Sequence, residues 1–288
     1  MDGLVIVDKE SGWTSHDVVA RMRKIAGTRR VGHAGTLDPM ATGVLILGIN
    51  RATRLLGYLS SKSKTYEATI RLGSTTITDD AEGEVIAQCG PADLAEISDV
   101  DITTQIAQFR GDILQRPSSV SAIKIDGIRS YAKVRAGENV VLPERAVTIY
   151  RFEAGVIQRS SAALDIAITV ECSSGTYVRA LARDLGSALG IGGHLIALRR
   201  TAIDSFTLEG ARKIDELDKN FAMISMVDAA RSTFQIRALT EQERESLSHG
   251  IAISPNENGA VTAALFEDSL IALVQNVLDR AKPLAVFG

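Results

Sequence analysis

Apolar residues recur along the chain with two periods, and the switches between them predict its elements. Leu4 to Val7 reads as a short strand, followed by a turn-like Lys9-Glu10-Ser11-Gly12-Trp13. Thr14 and Asp17 have the spacing of a capping box with Asp in place of Glu. Val18, Met22, Ile25 and Ala26 then form the stripe of an amphipathic helix. The segment Gly32 to Gly43 is too rich in glycine for a helix, and within it Pro39 drives Asp38 toward extended backbone. Val44 to Leu47 follows as a buried strand, so a carboxylate stands on a stiffened loop beside core.

Thr65 to Leu72 alternates, with Tyr66, Ala68, Ile70 and Leu72 on one face, as a half-buried strand does. Asp80 to Glu84 predicts a hairpin-like acidic turn, and residues 91–109 one polar-faced helix ending near Phe109. Residues 116–143 read as an excursion of short elements carrying Arg116, Lys124, Arg129, Lys133 and Arg135. A second alternating strand runs from Leu164 to Cys172. It leads to a helix marked by Val178, Leu181, Ala182, Leu185 and Leu189, with Thr176 as its expected N-cap and Gly190, Gly192 and Gly193 closing it. Thr240 and Glu243 make another capping box, for a short helix ended by Gly250, and strand-like pieces lie at Ala260–Phe266 and Ser269–Val274. Alternation rather than continuous apolar runs predicts an α+β fold with a largely antiparallel sheet, and the tail a small separate module.

Composition narrows the class. The chain has 288 residues, 45% apolar and 23% charged, as in an ordinary globular protein, which excludes disordered, collagen-like and disulfide-framework classes. The longest apolar run falls far short of the ~20 residues of a membrane span. No basic stretch precedes an apolar segment at Met1-Asp2-Gly3, so no secretory signal is expected. Two cysteines, Cys89 and Cys172, point to a reduced, cytoplasmic protein. The net charge of −3 hides a segregation: residues 1–71 carry 11 basic against 6 acidic side chains, 72–109 carry 0 against 8, and 110–135 carry 6 against 2. Two basic stretches around an acidic one suit a nucleic-acid binder with one basic face, or ordinary solvated faces.

Cofactor signatures are absent: no phosphate-binding glycine loop, no dinucleotide fingerprint, and no metal-ligand spacing among His16, His33, His194 and His249. Any reaction is then expected to rely on side chains, with no cofactor and no metal. Asp38 reads either as a site carboxylate or as a turn aspartate before proline. Arg179 falls in the first turn of its helix, where the dipole disfavours a cation. Tyr66 faces the core and needs a partner for its hydroxyl. His33, in the glycine segment, reads as structural or ligand-contacting.

Together these segments resemble one family. Gly32-His33-Ala34-Gly35-Thr36-Leu37-Asp38-Pro39 with Ala41-Thr42-Gly43 is similar to the Gly-His-x-Gly-x-Leu-Asp-Pro-x-Ala-x-Gly motif of TruB-family tRNA pseudouridine synthases. Asp8-Lys9, Lys64-Thr65-Tyr66 with Arg71-Leu72-Gly73, Ser121-Ala122-x-Lys124, Gly175-Thr176-Tyr177-x-Arg179 and Leu198-Arg199-Arg200 follow in family order. The resemblance implies isomerisation of uridine 55 in the T loop of tRNA, after the base is flipped out. Asp38 would be the catalytic residue, Tyr66 the stacking tyrosine, Arg179 the guanidinium beside the carboxylate, and His33 the residue entering the vacated space. Tyr177 and Lys9 would support the site. Arg29, Arg30, Lys64, Lys124, Arg129 and Arg199 are the candidate RNA contacts.

The implied architecture is a curved antiparallel sheet with flanking helices: residues 1–228 as the catalytic domain, with a thumb-like insertion at about 112–145, and 229–288 as a small PUA-like RNA-binding module. The implied partner is the T stem-loop of tRNA, met by a monomer without membrane or metal. Two positions depart from the family pattern: Glu10 stands where proline is usual, and Pro117-Ser118-Ser119-Val120 replaces Pro-Pro-x-Tyr. A competing expectation is a tRNA-folding chaperone acting by binding alone. A sugar hydrolase would need a second carboxylate ~5–9.5 Å from Asp38, which the motif does not supply.

Overall fold

The computed structural model describes residues 1–120, 124–125, 128–129 and 142–287. The N-terminal part runs β1 (Gly3–Lys9), α1 (Ser15–Ile25), β2 (Val31–Ala34), β3 (Thr42–Ile49), α2 (Leu56–Ser60), β4 (Lys64–Leu72), β5 (Ser74–Thr76) and β6 (Val85–Gln88). Next come α3 (Pro91–Glu96), α4 (Asp99–Gln108), β7 (Gly111–Gln115), the two-residue strands β8 (Lys124–Ile125) and β9 (Ile128–Arg129), β10 (Arg145–Arg159) and β11 (Leu164–Cys172). The rest is α5 (Val178–Ala188), β12 (Gly193–Ile203), β13 (Phe206–Thr207), α6 (Ile214–Lys219), β14 (Ile224–Ser225), α7 (Met226–Thr233), β15 (Gln235–Ala238), α8 (Glu241–Ser248), β16 (Thr262–Phe266), β17 (Ser269–Val277) and β18 (Arg280–Val286). These fall into two compact units: Met1–Pro39 with Gly43–Ser60 and Asp204–Gly288, and Met40–Thr42 with Ser61–Ile203.

In the first unit β1 lies between β14 and β3, antiparallel to both, with Val5 opposite Leu47 and Lys9 opposite Gly43. Val44, Leu45, Ile46 and Leu47 are wholly buried, which is why this strand reads as a continuous apolar run. Helix α1 starts as its sequence predicts: the Thr14 side chain accepts from the Asp17 amide, and the Asp17 carboxylate accepts from the Thr14 amide at 2.9 Å. Such a cap stabilises a helix by about 1 kcal/mol. The same unit holds the sheet β15-β16-β17-β18, with β15 parallel to β16 and the rest antiparallel. Its core is Leu247 from α8 with Ile253, Ala264, Ile271, Val274 and Ala281. Arg51 holds the chain end, donating from Nη1 to the Phe287 carbonyl at 2.6 Å and from Nε to Asp2 at 3.0 Å.

The second unit is built on five antiparallel strands in the order β12-β4-β11-β10-β7. Alternation along β4 and β11 puts Tyr66, Ala68, Ile70 and Leu72 on the same buried side as Ile166, Ile168, Val170 and Cys172. Helix α5 crosses β12 closely because Gly186 has no side chain: a Cβ there would sit 2.2 Å from the Gly193 nitrogen.

Two sequence expectations change, the single helix at 91–109 and the Thr176 cap, and two others gain detail. The segment 91–109 is two helices, because Ser98 and Asp101 form a capping box that starts a new helix after an extended Ile97. Thr176 does not cap α5; its hydroxyl donates to the Ser173 carbonyl at 3.0 Å, and Tyr177 is the N-cap. The glycine-rich segment starts as a strand, because Val31–Ala34 pairs with β3 and sets His33 opposite Leu47. The acidic turn between β5 and β6 is not fully solvated, since Asp79 and Asp80 are buried. Ser121, Ala122, Lys133 and Arg135, named from the sequence, lie outside the described residues.

Gly186→Ala is therefore expected to destabilise the protein by about 1–3 kcal/mol or more through overpacking against Gly192 and Gly193. Gly57→Ala, in helix α2 with open space around the new methyl, is expected to be neutral or to stabilise by up to about 1 kcal/mol. Urea unfolding of the two variants checks the opposite signs.

Candidate active site

Asp38 sits half-buried in the loop between β2 and β3, and the backbone on both sides of it is held by side chains from the preceding elements. Before it, the Ser15 hydroxyl accepts from the Leu37 amide at 2.9 Å and lies 3.2 Å from the Leu37 carbonyl, to which it donates. The Leu37 side chain is itself buried. After it, the Pro39 carbonyl accepts from the Gly12 amide at 2.9 Å and from Lys9 Nζ at 3.2 Å. Lys9 is 1% exposed, and its ammonium also donates to the carbonyls of Trp13 at 2.6 Å and Glu10 at 3.0 Å. Three carbonyls in place of water allow the cation to be buried. Gly35, at φ +74°, supplies the left-handed turn that leads into this loop.

His33 lies on β2 with its ring edge-on to that of His16 on α1, centroids 5.6 Å apart. Arg29 and Arg30 are exposed in the turn between α1 and β2.

The second unit holds the other candidates. Tyr66 is buried on β4, opposite Val170 on one side and Arg200 on the other. Lys64 lies two residues before it on the same face, also buried, and donates to the Lys62 carbonyl at 2.8 Å. Burial and the nearby Arg200 bring the Lys64 ammonium down to about 8. Arg199 is half-buried and donates to the Thr42 hydroxyl at 3.2 Å, whereas Arg200 is buried. Of Lys124 and Arg129 only the backbone is described, as opposite residues of β8 and β9.

Arg179 stands in the first turn of α5, where the helix dipole disfavours a cation, and the tertiary structure provides the compensation. Asp80 lies 3.2 Å from its Nη1, with both side chains under a tenth exposed. The same nitrogen donates to the carbonyls of Thr78 at 2.7 Å and Val120 at 3.2 Å. Asp80 is in turn oriented by the Thr78 hydroxyl and by the Glu82 amide at 3.0 Å. A buried pair of this kind contributes little net stability, but it fixes where the guanidinium points. Tyr177 is held through its peptide: Gln115, 1% exposed, accepts from its amide at 2.7 Å and donates to its carbonyl at 3.1 Å.

Asp80, Gln115 and Ser15 are absent from the candidates read off the sequence. For Asp80 a signal exists, because an aspartate accepting from the amide two residues on is a turn motif written in Asp80-Ala81-Glu82. Gln115 and Ser15 act across 62 and 22 residues of chain, and nothing local marks them. Among the described residues no group of three or more His, Cys, Asp or Glu side chains is placed to hold a metal ion.

Comparison with known proteins adds a family. Residues 23–178 match the model described as TruB family pseudouridylate synthase (N terminal domain), and residues 179–239 match that of the tRNA pseudouridylate synthase B C-terminal domain. The chain is 56% identical over 300 residues to tRNA pseudouridine synthase B of Paenarthrobacter aurescens, covering 100% of this chain and 96% of that protein. It is 50% identical over 296 residues to the protein of the same name from Streptomyces coelicolor, covering 100% and 97%. Among solved structures it superposes on a chain of an H/ACA ribonucleoprotein bound to a substrate RNA containing 2′-deoxyuridine. The TM-score is 0.75 at 23% identity, over 99% of this chain and 85% of that one. A chain of a Cbf5-Nop10-Gar1 complex gives 0.75 at 24%, over 99% and 84%. At such identities these two support the fold alone: α+β, a sheet with flanking helices.

Two outcomes follow from the buried lysines. Lys9→Met takes the ammonium donor from the carbonyls of Glu10, Trp13 and Pro39, of which Pro39 keeps the Gly12 amide. A loss of about 1–3 kcal/mol is expected, read as a lower urea midpoint. For Lys64 the folded value, about 8, lies below the ordinary 10.5. Between these pH values the unfolded chain holds a proton that the folded chain has shed, so stability rises with pH across that window. Below pH 8 the penalty of burying the ammonium is fully present. Lys64→Met should therefore gain most over wild type at pH 7, and the gain should shrink toward pH 10 in thermal unfolding.

Proposed function

The chain belongs to the TruB family of pseudouridylate synthases, and on that premise we propose that it isomerises uridine 55 in the T loop of tRNA to pseudouridine, with Asp38 as the catalytic carboxylate. The observation that carries the assignment is the fixing of Asp38: the peptide before it is bracketed by Ser15, and the carbonyl after it is held by Lys9 and Gly12. A carboxylate that must reach one atom of a bound nucleotide gains rate from being held in place before the substrate arrives.

The reaction needs the uracil to leave C1′, turn, and rejoin through C5, so atoms balance with one proton lost from C5 and one gained at N1. Asp38 can attack C1′ or C6, or take a proton from the sugar, and each route uses its ionised form. In this reading Arg179 favours that anion, Tyr66 stacks on the extracted base, and His33 fills the space that the base leaves. Lys9 and Tyr177 support the site through the backbone, as their hydrogen bonds suggest. Flipping a base out of a folded loop costs a few kcal/mol, and phosphate contacts from exposed basic residues such as Arg29 and Arg30 would offset part of it. The sheet β15-β16-β17-β18 with α8 would add RNA contacts as the C-terminal module. The proposed working state is a monomer. No helix among the described residues is long and apolar enough to cross a membrane, and the working place is taken to be the cytoplasm, where tRNA is.

Asp38→Asn should lower the rate of pseudouridine formation by about 10³-fold or more, while tRNA affinity in a filter-binding assay stays within about threefold of wild type. Product is mapped by position on an unmodified tRNA transcript. Pseudouridine at position 55 with wild type and none with the variant is the expected result. Product elsewhere would move the target, and undiminished product from Asp38→Asn would remove the carboxylate from its role. If neither protein forms product but both speed refolding of damaged tRNA, the molecule is a chaperone acting by binding.

A further inference from the structure

We propose that Asp79 and Ser118 are positioning residues for Arg179, which rests on Arg179 serving the reaction proposed above. Nη1 of Arg179 is held by three acceptors, and these come from two separate segments. The Thr78 carbonyl and the Asp80 carboxylate lie on the turn after β5, on either side of Asp79. The Val120 carbonyl lies beyond β7, two residues after Ser118. Between these points the two segments are joined by the Ser118 hydroxyl, which donates to Asp79 Oδ2 at 2.6 Å. Ser118 is 0% exposed and Asp79 9%, so the bond is largely shielded from water.

Arg183 closes the arrangement one turn along α5. Its Nη1 donates to the same oxygen, Asp79 Oδ2, at 3.1 Å, and its Nη2 donates to the Arg116 carbonyl at 2.7 Å. Two successive aspartates thus grip two arginines four residues apart, a spacing that places both on one face of the helix. Arg183 also pairs with Asp184 at 2.8 Å, so its charge is shared between two carboxylates and cannot by itself fix Asp79. Asp79 further has φ +60°, a left-handed conformation that a non-glycine residue keeps when its surroundings over-determine it. Its carbonyl accepts from the Leu195 amide at 3.0 Å, which anchors the turn to β12.

Ser118 is also where this chain leaves the family pattern, which has proline there. Proline has no hydroxyl and cannot make the bond. The departure therefore exchanges a stiff residue for a hydrogen bond to a buried carboxylate, a charge-assisted contact whose geometry is strict. Neither Asp79 nor Ser118 is assigned a contact with the nucleotide. Their effect passes through the direction of the Arg179 guanidinium.

The test measures single-turnover pseudouridine formation at saturating unmodified tRNA transcript, together with tRNA Kd and Tm. Ser118→Ala is expected to lower the rate constant about tenfold to a hundredfold, with Kd within twofold and Tm lowered by no more than a few degrees. Asp79→Ala removes the acceptor itself, together with its contact to Arg183, and should give at least as large a loss. In an Arg179→Lys background, where the guanidinium is already gone, Ser118→Ala should change the rate by less than twofold. A wild-type rate for both single variants overturns the proposal. So does a lower Tm or weaker Kd with the saturated rate unchanged, or an undiminished Ser118→Ala loss in the Arg179→Lys background. Absence of product from wild type would instead overturn the functional reading, a distinct outcome.

Discussion

A cation taken out of water must be met by acceptors at fixed places, and in each unit this constraint sets where a side chain or a stretch of backbone stands. In the first unit the cation is Lys9, whose ammonium draws the carbonyls of Glu10, Trp13 and Pro39 together. The turn after β1 and the loop before β3 are thereby joined next to Asp38. In the second it is Arg179, which gathers Thr78, Asp80 and Val120 around one nitrogen. Neither cation has to touch a substrate for its burial to matter. Each converts loops that would otherwise sample many conformations into one arrangement, and the entropy of ordering is met during folding rather than during the reaction.

The same logic explains why the buried polar groups come as sets. Asp80 without Arg179, or Arg179 without Asp80, would leave a charge under a tenth exposed and short of its ion-pair partner. Gln115 satisfies both ends of the Tyr177 peptide with one amide side chain. Ser15 does the same for Leu37 with one hydroxyl. Short polar side chains that bracket a peptide are an economical way to hold backbone that has no ladder partner, since its N–H and C=O must be satisfied in any case.

Much of the fold was legible before any coordinates. The alternation at 65–72 and at 164–172 appears as strands with the expected faces buried, and the capping boxes at Thr14 and Thr240 start helices where spacing places them. Where the reading failed, a local signal was overridden or misread. Ser98 looked like a polar residue inside one helix, but with Asp101 it starts a second. Thr176 looked like a cap, but its hydroxyl turns back to Ser173. Nothing local marks Asp79 and Asp80 as buried, because the two arginines that justify burying them lie about a hundred positions further on.

Period, capping spacing and the proline-glycine frame around Asp38 are local properties, set by backbone sterics and by hydrogen bonds spanning a few residues. The sequence therefore determined by itself the elements, the class of fold and the motifs that mark a TruB-family chain. Which polar side chains are buried, and against what, was decided only in three dimensions. Asp80 with Arg179, Gln115 with Tyr177 and Ser118 with Asp79 are each brought together from 39 to about 100 residues apart. Their pairing depends on exclusion of water and on mutual geometry, and neither exists until the strands and the helix have packed.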